Sequence, residues 1–207
     1  MSKSIRVKIC GITNLEDALK AAELGADSLG FIFYKKSPRH ISPRTAGLII
    51  RELPPFVTPV GVFVDEELSR AAATVAETGI CTAQLHGNET PEYCERLGIK
   101  VIKAIRVRDM ADINRLRPYS VSAYLLDTFK EGVHGGTGET FDWDIAVEAK
   151  ALGRIVLSGG LNPENVKEAV EKVRPYAVDA CSGVEMKDRP GRKDHAKLKE
   201  FMERVRG

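Results

Sequence analysis

The chain has almost no net charge: 31 Lys and Arg stand against 29 Asp and Glu, a formal +2 over 207 residues. So even a balance offers no broad electrostatic footprint for a polyanion or an acidic membrane surface, and nucleic acid is not an expected partner. Long apolar runs are missing as well. None reaches the roughly 18 to 20 residues that a membrane helix requires, and Met1-Ser2-Lys3-Ser4 leads into a strand-like segment instead of the apolar core of a signal peptide. These absences predict a cytoplasmic protein with no membrane partner. Cysteine is scarce and scattered, at Cys10, Cys81, Cys94 and Cys181, with no CxxC pair and no His cluster at zinc-finger spacing. That spacing predicts no metal site. A chain of this size needs no disulfide staple, so reduced thiols are expected. No dinucleotide fingerprint is present either, and no cofactor is expected.

What the chain does have is 43% hydrophobic residues, enough for a real core, arranged as a repeated alternation of strand and helix. Ile5, Val7 and Ile9 alternate with basic residues up to Cys10-Gly11, a strand followed by a turn. Asn14 then caps a helix carrying Leu15, Ala18, Leu19, Ala22 and Leu24, with Gly25 as its stop. The same punctuation predicts strand Ser28 to Phe33 with helix Pro43 to Leu53, Val60 to Val64 with Glu66 to Glu77, and Thr82 to His86 with Pro91 to Leu97. It continues with Val101 to Val107 and Met110 to Leu116, then Ala123 to Asp127 and Trp143 to Ala151. Ile155 to Leu157 with Pro163 to Val173, and Val178 to Ala180 with His195 to Val205, complete eight pairs.

Continuous apolar strands such as Gly30-Phe31-Ile32-Phe33 suit a sheet covered on both faces, and short right-handed crossovers require its strands to be parallel. Eight pairs predict an α/β protein with a closed (β/α)8 TIM barrel, whose usual length begins at about 200 residues, so residues 1–207 are expected to form a single catalytic domain. An open doubly wound sheet is the alternative, and it would leave strands unplaced.

Such barrels carry their active sites at the carboxyl ends of the strands. The residues falling there are Cys10, His86, Arg106 and Arg108, Asp127, Ser158-Gly159-Gly160 and Cys181-Ser182-Gly183, together with two long loops, Tyr34 to Ser42 and Thr128 to Thr140. Glycine-rich loops after strands seven and eight can present several backbone N–H groups to one anion, which predicts a phosphate site and a phosphorylated small-molecule partner. Two ordinary glycine turns are the plain alternative. Cys10 and Asp127 on different walls of one mouth suggest proton transfer, the thiolate taking a proton from carbon and the carboxylic acid giving one to oxygen. For Asp127 a loop cap is the alternative, and for Cys10 nucleophilic catalysis with His86 as base. Arg39 on the loop after strand two could hold a carboxylate through two parallel bonds, or be a solvated surface arginine. The basic run Lys187-Asp188-Arg189-Pro190-Gly191-Arg192-Lys193 lacks aromatic neighbours and reads as a solvated loop before the last helix.

Eight motifs in chain order resemble the phosphoribosylanthranilate isomerases of tryptophan biosynthesis. They are Lys8-Ile9-Cys10-Gly11-Ile12-Thr13, Gly30-Phe31-Ile32-Phe33 with Ser37-Pro38-Arg39, Gly61-Val62-Phe63-Val64, and Gln84-Leu85-His86-Gly87. Leu126-Asp127, Gly135-Gly136-Thr137-Gly138 ahead of Phe141-Asp142-Trp143, Leu157-Ser158-Gly159-Gly160-Leu161 and Ser182-Gly183-Val184-Glu185 complete the set. The resemblance implies a metal-free barrel enzyme, monomer or homodimer, that carries out an Amadori rearrangement. It assigns Cys10 as general base and Asp127 as general acid, Arg39 to the anthranilate carboxylate, and Gly160, Ser182 and Gly183 to the phosphate. His86 and Asp179 fall on site-lining positions. Family members often carry Ser where this chain has Cys181, a weaker hydrogen-bond donor. A related sugar-phosphate isomerase of histidine biosynthesis, whose pattern places Asp where this chain has Cys10, a bifunctional enzyme, and a non-catalytic phosphate-binding barrel are the other readings.

Overall fold

The computed structural model describes residues 5–128 and 142–207. Eight parallel strands, β1 (Arg6–Cys10), β2 (Ser28–Ile32), β3 (Thr58–Phe63), β4 (Thr82–Leu85), β5 (Lys100–Val107), β6 (Ala123–Thr128), β7 (Ile155–Leu157) and β8 (Ala177–Ala180), pair in sequence order and close when β8 pairs with β1. Closure leaves no sheet edge and excludes the open doubly wound alternative. Between them lie α1 (Leu15–Glu23), α2 (Pro43–Arg51), α3 (Leu68–Thr78), α4 (Pro91–Arg96), α5 (Met110–Asn114), α6 (Trp143–Ala149) and α7 (Val166–Val173), with α8 (His195–Arg206) after the last strand. The motif Gly135-Gly136-Thr137-Gly138, Phe141 and the loop expected after Thr128 lie outside the described residues. No helix among the described residues is long and apolar enough to cross a membrane.

Local chemistry sets the helix starts. Asn14, Ser42 and Thr90 each accept a bond from an N–H of the first turn, the last two just ahead of a proline that needs no donor partner there. Two helices begin later than the periodicity predicts. Before α7, Asn162 accepts from the N–H groups of Glu164 and Asn165, and Asn165 accepts from that of Asn162, so side chains replace the first helical turn. Before α3, Asp65 adopts a positive φ of 50°, its N–H donating to Glu89 and its carboxylate receiving the N–H of Asn88. The chain there holds the loop after β4 instead of winding into helix.

The apolar core lies in two layers. The larger one packs the outer faces of the strands against the helices and includes Leu29, Phe31, Phe63, Leu85, Leu126 and Phe201. A smaller one, Ala104, Ala123, Leu125, Val156 and Ala177 with Ile102 against it, fills the barrel interior. Register explains the second: Ile102 pairs with Ala123, Leu125 with Val156 and Val156 with Ala177, so these side chains share the inner face. They plug the amino-terminal half of the barrel and leave its carboxyl half to polar groups.

Candidate active site

Side chains alternate faces along a strand, so a residue two places beyond an inward-facing one also faces inward, one layer closer to the carboxyl end. Leu125 leads in this way to Asp127, Ala177 to Asp179, Val156 to Ser158 and Ala104 to Arg106. On β1 the register partner of Asp179 is Lys8, which puts Cys10 above it, and on β4 Gln84 lies below His86. One cavity at this end is lined by Cys10, Gln84, His86, Arg106, Asp127, Ser158, Asp179 and Cys181, and its rim by Tyr34, Ser37 and Arg39. The sequence-derived pair, Cys10 and Asp127, therefore meets in a single cavity.

At its floor the buried Lys8 Nζ lies 2.8 Å from Asp179 Oδ1, and Ser158 donates its hydroxyl to the other carboxylate oxygen at 3.3 Å. Burial works against the Lys8 ammonium, yet Asp179 and Cys10 beside it hold its pKa above the ordinary value. Asp127 is nearly as buried. Desolvation, then the negative charge of Asp179, push its carboxyl up from 3.8 to about 6, while the Thr128 N–H at 2.9 Å and the cations Arg106 and Lys8 pull the other way. His86 stands with Nε2 3.5 Å from Asp127 Oδ2 and Nδ1 3.1 Å from the Gln84 amide. Cys10 instead faces Lys8 and Cys181. Its interaction with the Cys181 thiol, together with burial, raises the Cys10 pKa; the same interaction, aided by the cations Lys193 and Arg39, brings Cys181 down to about 7. The two thiols therefore titrate together, with Lys8 beside Cys10 and Lys193 beside Cys181.

Arg39 is held on a loop that returns to the barrel wall, where the Ile41 N–H donates to the Ile32 carbonyl and the Arg39 N–H to Ser37 Oγ. Its guanidinium is not a solvated surface group. Nε and Nη2 donate to the two oxygens of Glu185 at 2.8 and 2.7 Å, so one edge of the fork is already committed and the Nη1 side faces onward. Glu185 also receives Lys193 Nζ and the Gly191 N–H, both at 3.1 Å. Residues 187–190 and 192 are exposed, as a solvated loop requires, but Lys193 departs from that reading: it is fully buried, its ammonium held between Glu185 and the Cys181 carbonyl.

The glycine loops are under steric compulsion. Gly159 has φ +85°, and a Cβ on it would collide with Thr128; a Cβ on Gly183 would collide with the Leu161 carbonyl. Gly160 has φ +67° and its carbonyl receives the side-chain amides of Asn162 and Asn165. Gly159, Gly160 and Ser182 line the cavity. Gly183 instead locks the loop after β8 onto that after β7.

Lys8, Gln84, Glu185 and Lys193 received no role from the sequence. For Lys8 and Gln84 the signal was available in strand parity, two places before Cys10 and His86. Glu185 and Lys193 depend on a fold-back of the loop after β8, which no local pattern announces.

Reactive groups gathered where barrel strands end make this chain a (β/α)8-barrel enzyme by architecture. The family model described as N-(5'phosphoribosyl)anthranilate (PRA) isomerase matches residues 7–204. A relative named N-(5'-phosphoribosyl)anthranilate isomerase from Geobacter sp. (strain M21) is 57% identical over 95% of this chain and 96% of its own. The crystal structure of phosphoribosyl anthranilate isomerase from Thermotoga maritima superposes with a TM-score of 0.89 at 48% identity, covering 97% of this chain and 98% of that one. A second such structure, in complex with reduced 1-(o-carboxyphenylamino)-1-deoxyribulose 5-phosphate, gives 0.85 at 45% identity with the same coverage. The chain belongs to the N-(5'-phosphoribosyl)anthranilate isomerase family.

Proposed function

We propose that this chain catalyses the Amadori rearrangement of N-(5'-phosphoribosyl)anthranilate to 1-(2-carboxyphenylamino)-1-deoxyribulose 5-phosphate. The observation that carries the proposal is the placement of Asp127, a buried carboxyl whose pKa is raised to about 6, across one cavity from the Cys10–Cys181 thiol pair. Asp127, protonated, gives its proton to the furanose ring oxygen as the C1'–O bond breaks, the anthranilate nitrogen supplying electrons to form the Schiff base. Cys10, ionised when its proton passes to Cys181, removes the C2' proton. The resulting enolamine tautomerises to the ketone. Lys8 compensates the thiolate charge, and Asp179 holds Lys8 beneath the sulfur. Backbone groups of the loops carrying Gly159, Gly160, Ser182 and Gly183 hold the phosphate, with glycine permitting the close approach. His86 packs against Asp127 and orients the acid. The family model's span across the barrel supports one catalytic domain.

Purified protein given phosphoribosylanthranilate is expected to consume it, followed as loss of the substrate's anthranilate fluorescence, with accumulation of the aminodeoxyribulose phosphate. No consumption would overturn the proposal. In the same assay Arg39→Ala is expected to raise KM by about 10- to 200-fold, the loss of roughly 1.5 to 3 kcal/mol from a charge-assisted contact, with kcat falling less. The uncommitted side of the guanidinium is the part that meets the anthranilate carboxylate. An unchanged KM would remove Arg39 from the binding site and leave it as the partner of Glu185.

A further inference from the structure

In the isomerisation Cys181 does no more than take the proton of Cys10, yet a second cysteine set beside the base has a chemistry of its own. We propose that Cys10 and Cys181 are joined by a reversible disulfide when the enzyme meets a hydroperoxide, and that this bond shuts the active site off; the second half rests on the reading of Cys10 as base.

The two residues are placed for it by the barrel. Ile9 pairs with Ala180 across β1 and β8, so the next residues, Cys10 and Cys181, stand beside each other at the ends of neighbouring strands. Adjacent strands run about 4.8 Å apart, within the roughly 4.4 to 6.8 Å that separates the Cα atoms of a disulfide. Both side chains line the same cavity, and each thiol shifts the titration of the other. Glycines leave them room: a Cβ on Gly30 would lie 2.7 Å from the Cys10 sulfur, and one on Gly11 3.0 Å from that of Cys181. The cavity admits a small oxidant, since Cys181 is half-buried and not enclosed. Its surroundings favour its thiolate as the first nucleophile, with Lys193 and Arg39 supplying positive charge. Neither Cys81, exposed in the connection between α3 and β4, nor Cys94, buried on α4, lines this cavity.

The chemistry balances with the hydroperoxide as the only oxidant. The Cys181 thiolate attacks the terminal peroxide oxygen, the O–O bond breaks, and the alkoxide leaves as alcohol with one proton, giving a sulfenic acid. The Cys10 thiolate then attacks that sulfur, the S–O bond breaks, and hydroxide leaves as water with the second proton. Two thiols and one hydroperoxide become a disulfide, an alcohol and a water; the sulfurs lose two electrons and the peroxide gains them. With its sulfur tied to Cys181, Cys10 has no lone charge to receive a proton from carbon.

The test treats the reduced full-length protein with a small molar excess of hydrogen peroxide. The expected result is an intact mass lower by two hydrogens, a peptide map joining the Cys10 and Cys181 peptides, and a fall in isomerase activity of about 10²-fold or more that a thiol reductant reverses. A Cys81→Ser/Cys94→Ser variant is expected to behave the same way. Cys181→Ser is expected to form no cross-link, and any activity it loses to peroxide should not return on reduction. Oxygen addition without a cross-link, or a cross-link through Cys81 or Cys94, overturns the disulfide while the isomerase reading stands. A Cys10–Cys181 cross-link with turnover intact overturns the switch and removes Cys10 from the role of base.

Discussion

Asp127→Asn is expected to lower kcat by about 10² to 10⁴, the usual worth of a positioned general acid, with a much smaller change in KM. The amide keeps the shape and can still accept the Thr128 N–H now received by Oδ1 at 2.9 Å, but it has no proton to give the ring oxygen. Its effect on stability has the opposite sign. A carboxyl whose pKa rises from 3.8 to about 6 on folding binds its proton more tightly in the folded state. The stability this confers is therefore complete below pH 3.8 and is lost as pH rises to about 6. Above that the native state bears an ionised buried carboxylate, a cost on the order of 3 kcal/mol at 1.36 kcal/mol per pH unit. Asparagine carries no such cost. At pH 8 the variant is expected to unfold at a temperature no lower than the wild type, and the difference should shrink toward pH 4. Thermal melts at the two pH values, set beside steady-state kinetics, check both halves. A variant that is inactive because it is unfolded would contradict the assignment, as would one that keeps wild-type kcat.

Most of the barrel was legible because its information is local. Each strand is a short apolar or alternating run, with a glycine soon after β1, β4, β7 and β8, and helices carry caps or stops near their ends, as Asn14 and Gly25 show for α1. Boundaries slipped where side chains do the work of backbone: Asn162 and Asn165 supply the first turn before α7, and Asp65 turns the chain toward Glu89 before α3. The catalytic candidates were legible for a similar reason, since strand ends can be counted along the chain. The electrostatics were not. Burial of Asp127 beside Asp179, the pairing of Arg39 with a residue 146 positions away, and the burial of Lys193 in a run that looks solvent-loving all arise from contacts made only when the barrel closes. The contact between Cys10 and Cys181 belongs with them: 171 positions separate the two in the sequence, and only the β8 to β1 pairing brings them together.

Cys10→Ser is expected to stay folded, to bind the product, and to turn over about 10² to 10⁴ times more slowly, because a hydroxyl of nearly the same shape ionises far less readily than a thiol. The wild-type pH profile should report why the thiol matters. Asp127 loses its proton at about 6 and the thiol pair loses one at about 7, so the acid is ionised before the base is. The productive form, acid protonated and Cys10 thiolate formed, is then a minority at every pH, because the negative charge of the pair rests mainly on Cys181, and it peaks midway between the two. From this follows a kcat/KM profile that climbs to a shoulder near pH 6, stays level, and falls beyond about 7, with bends that belong to the coupled set of groups. The shape alone does not say which group must be charged, and the variants do. Asp127→Asn removes the proton whose loss produces the fall, so its residual rate should keep climbing with pH as the thiolate fills. The Cys10→Ser variant tests the other half through kcat at fixed pH, with product affinity and melting temperature measured on the same sample. Wild-type kcat in that variant would make Cys10 a packing residue and end the acid–base mechanism, although the barrel and the loops around Gly159, Gly160 and Ser182 would stand unchanged.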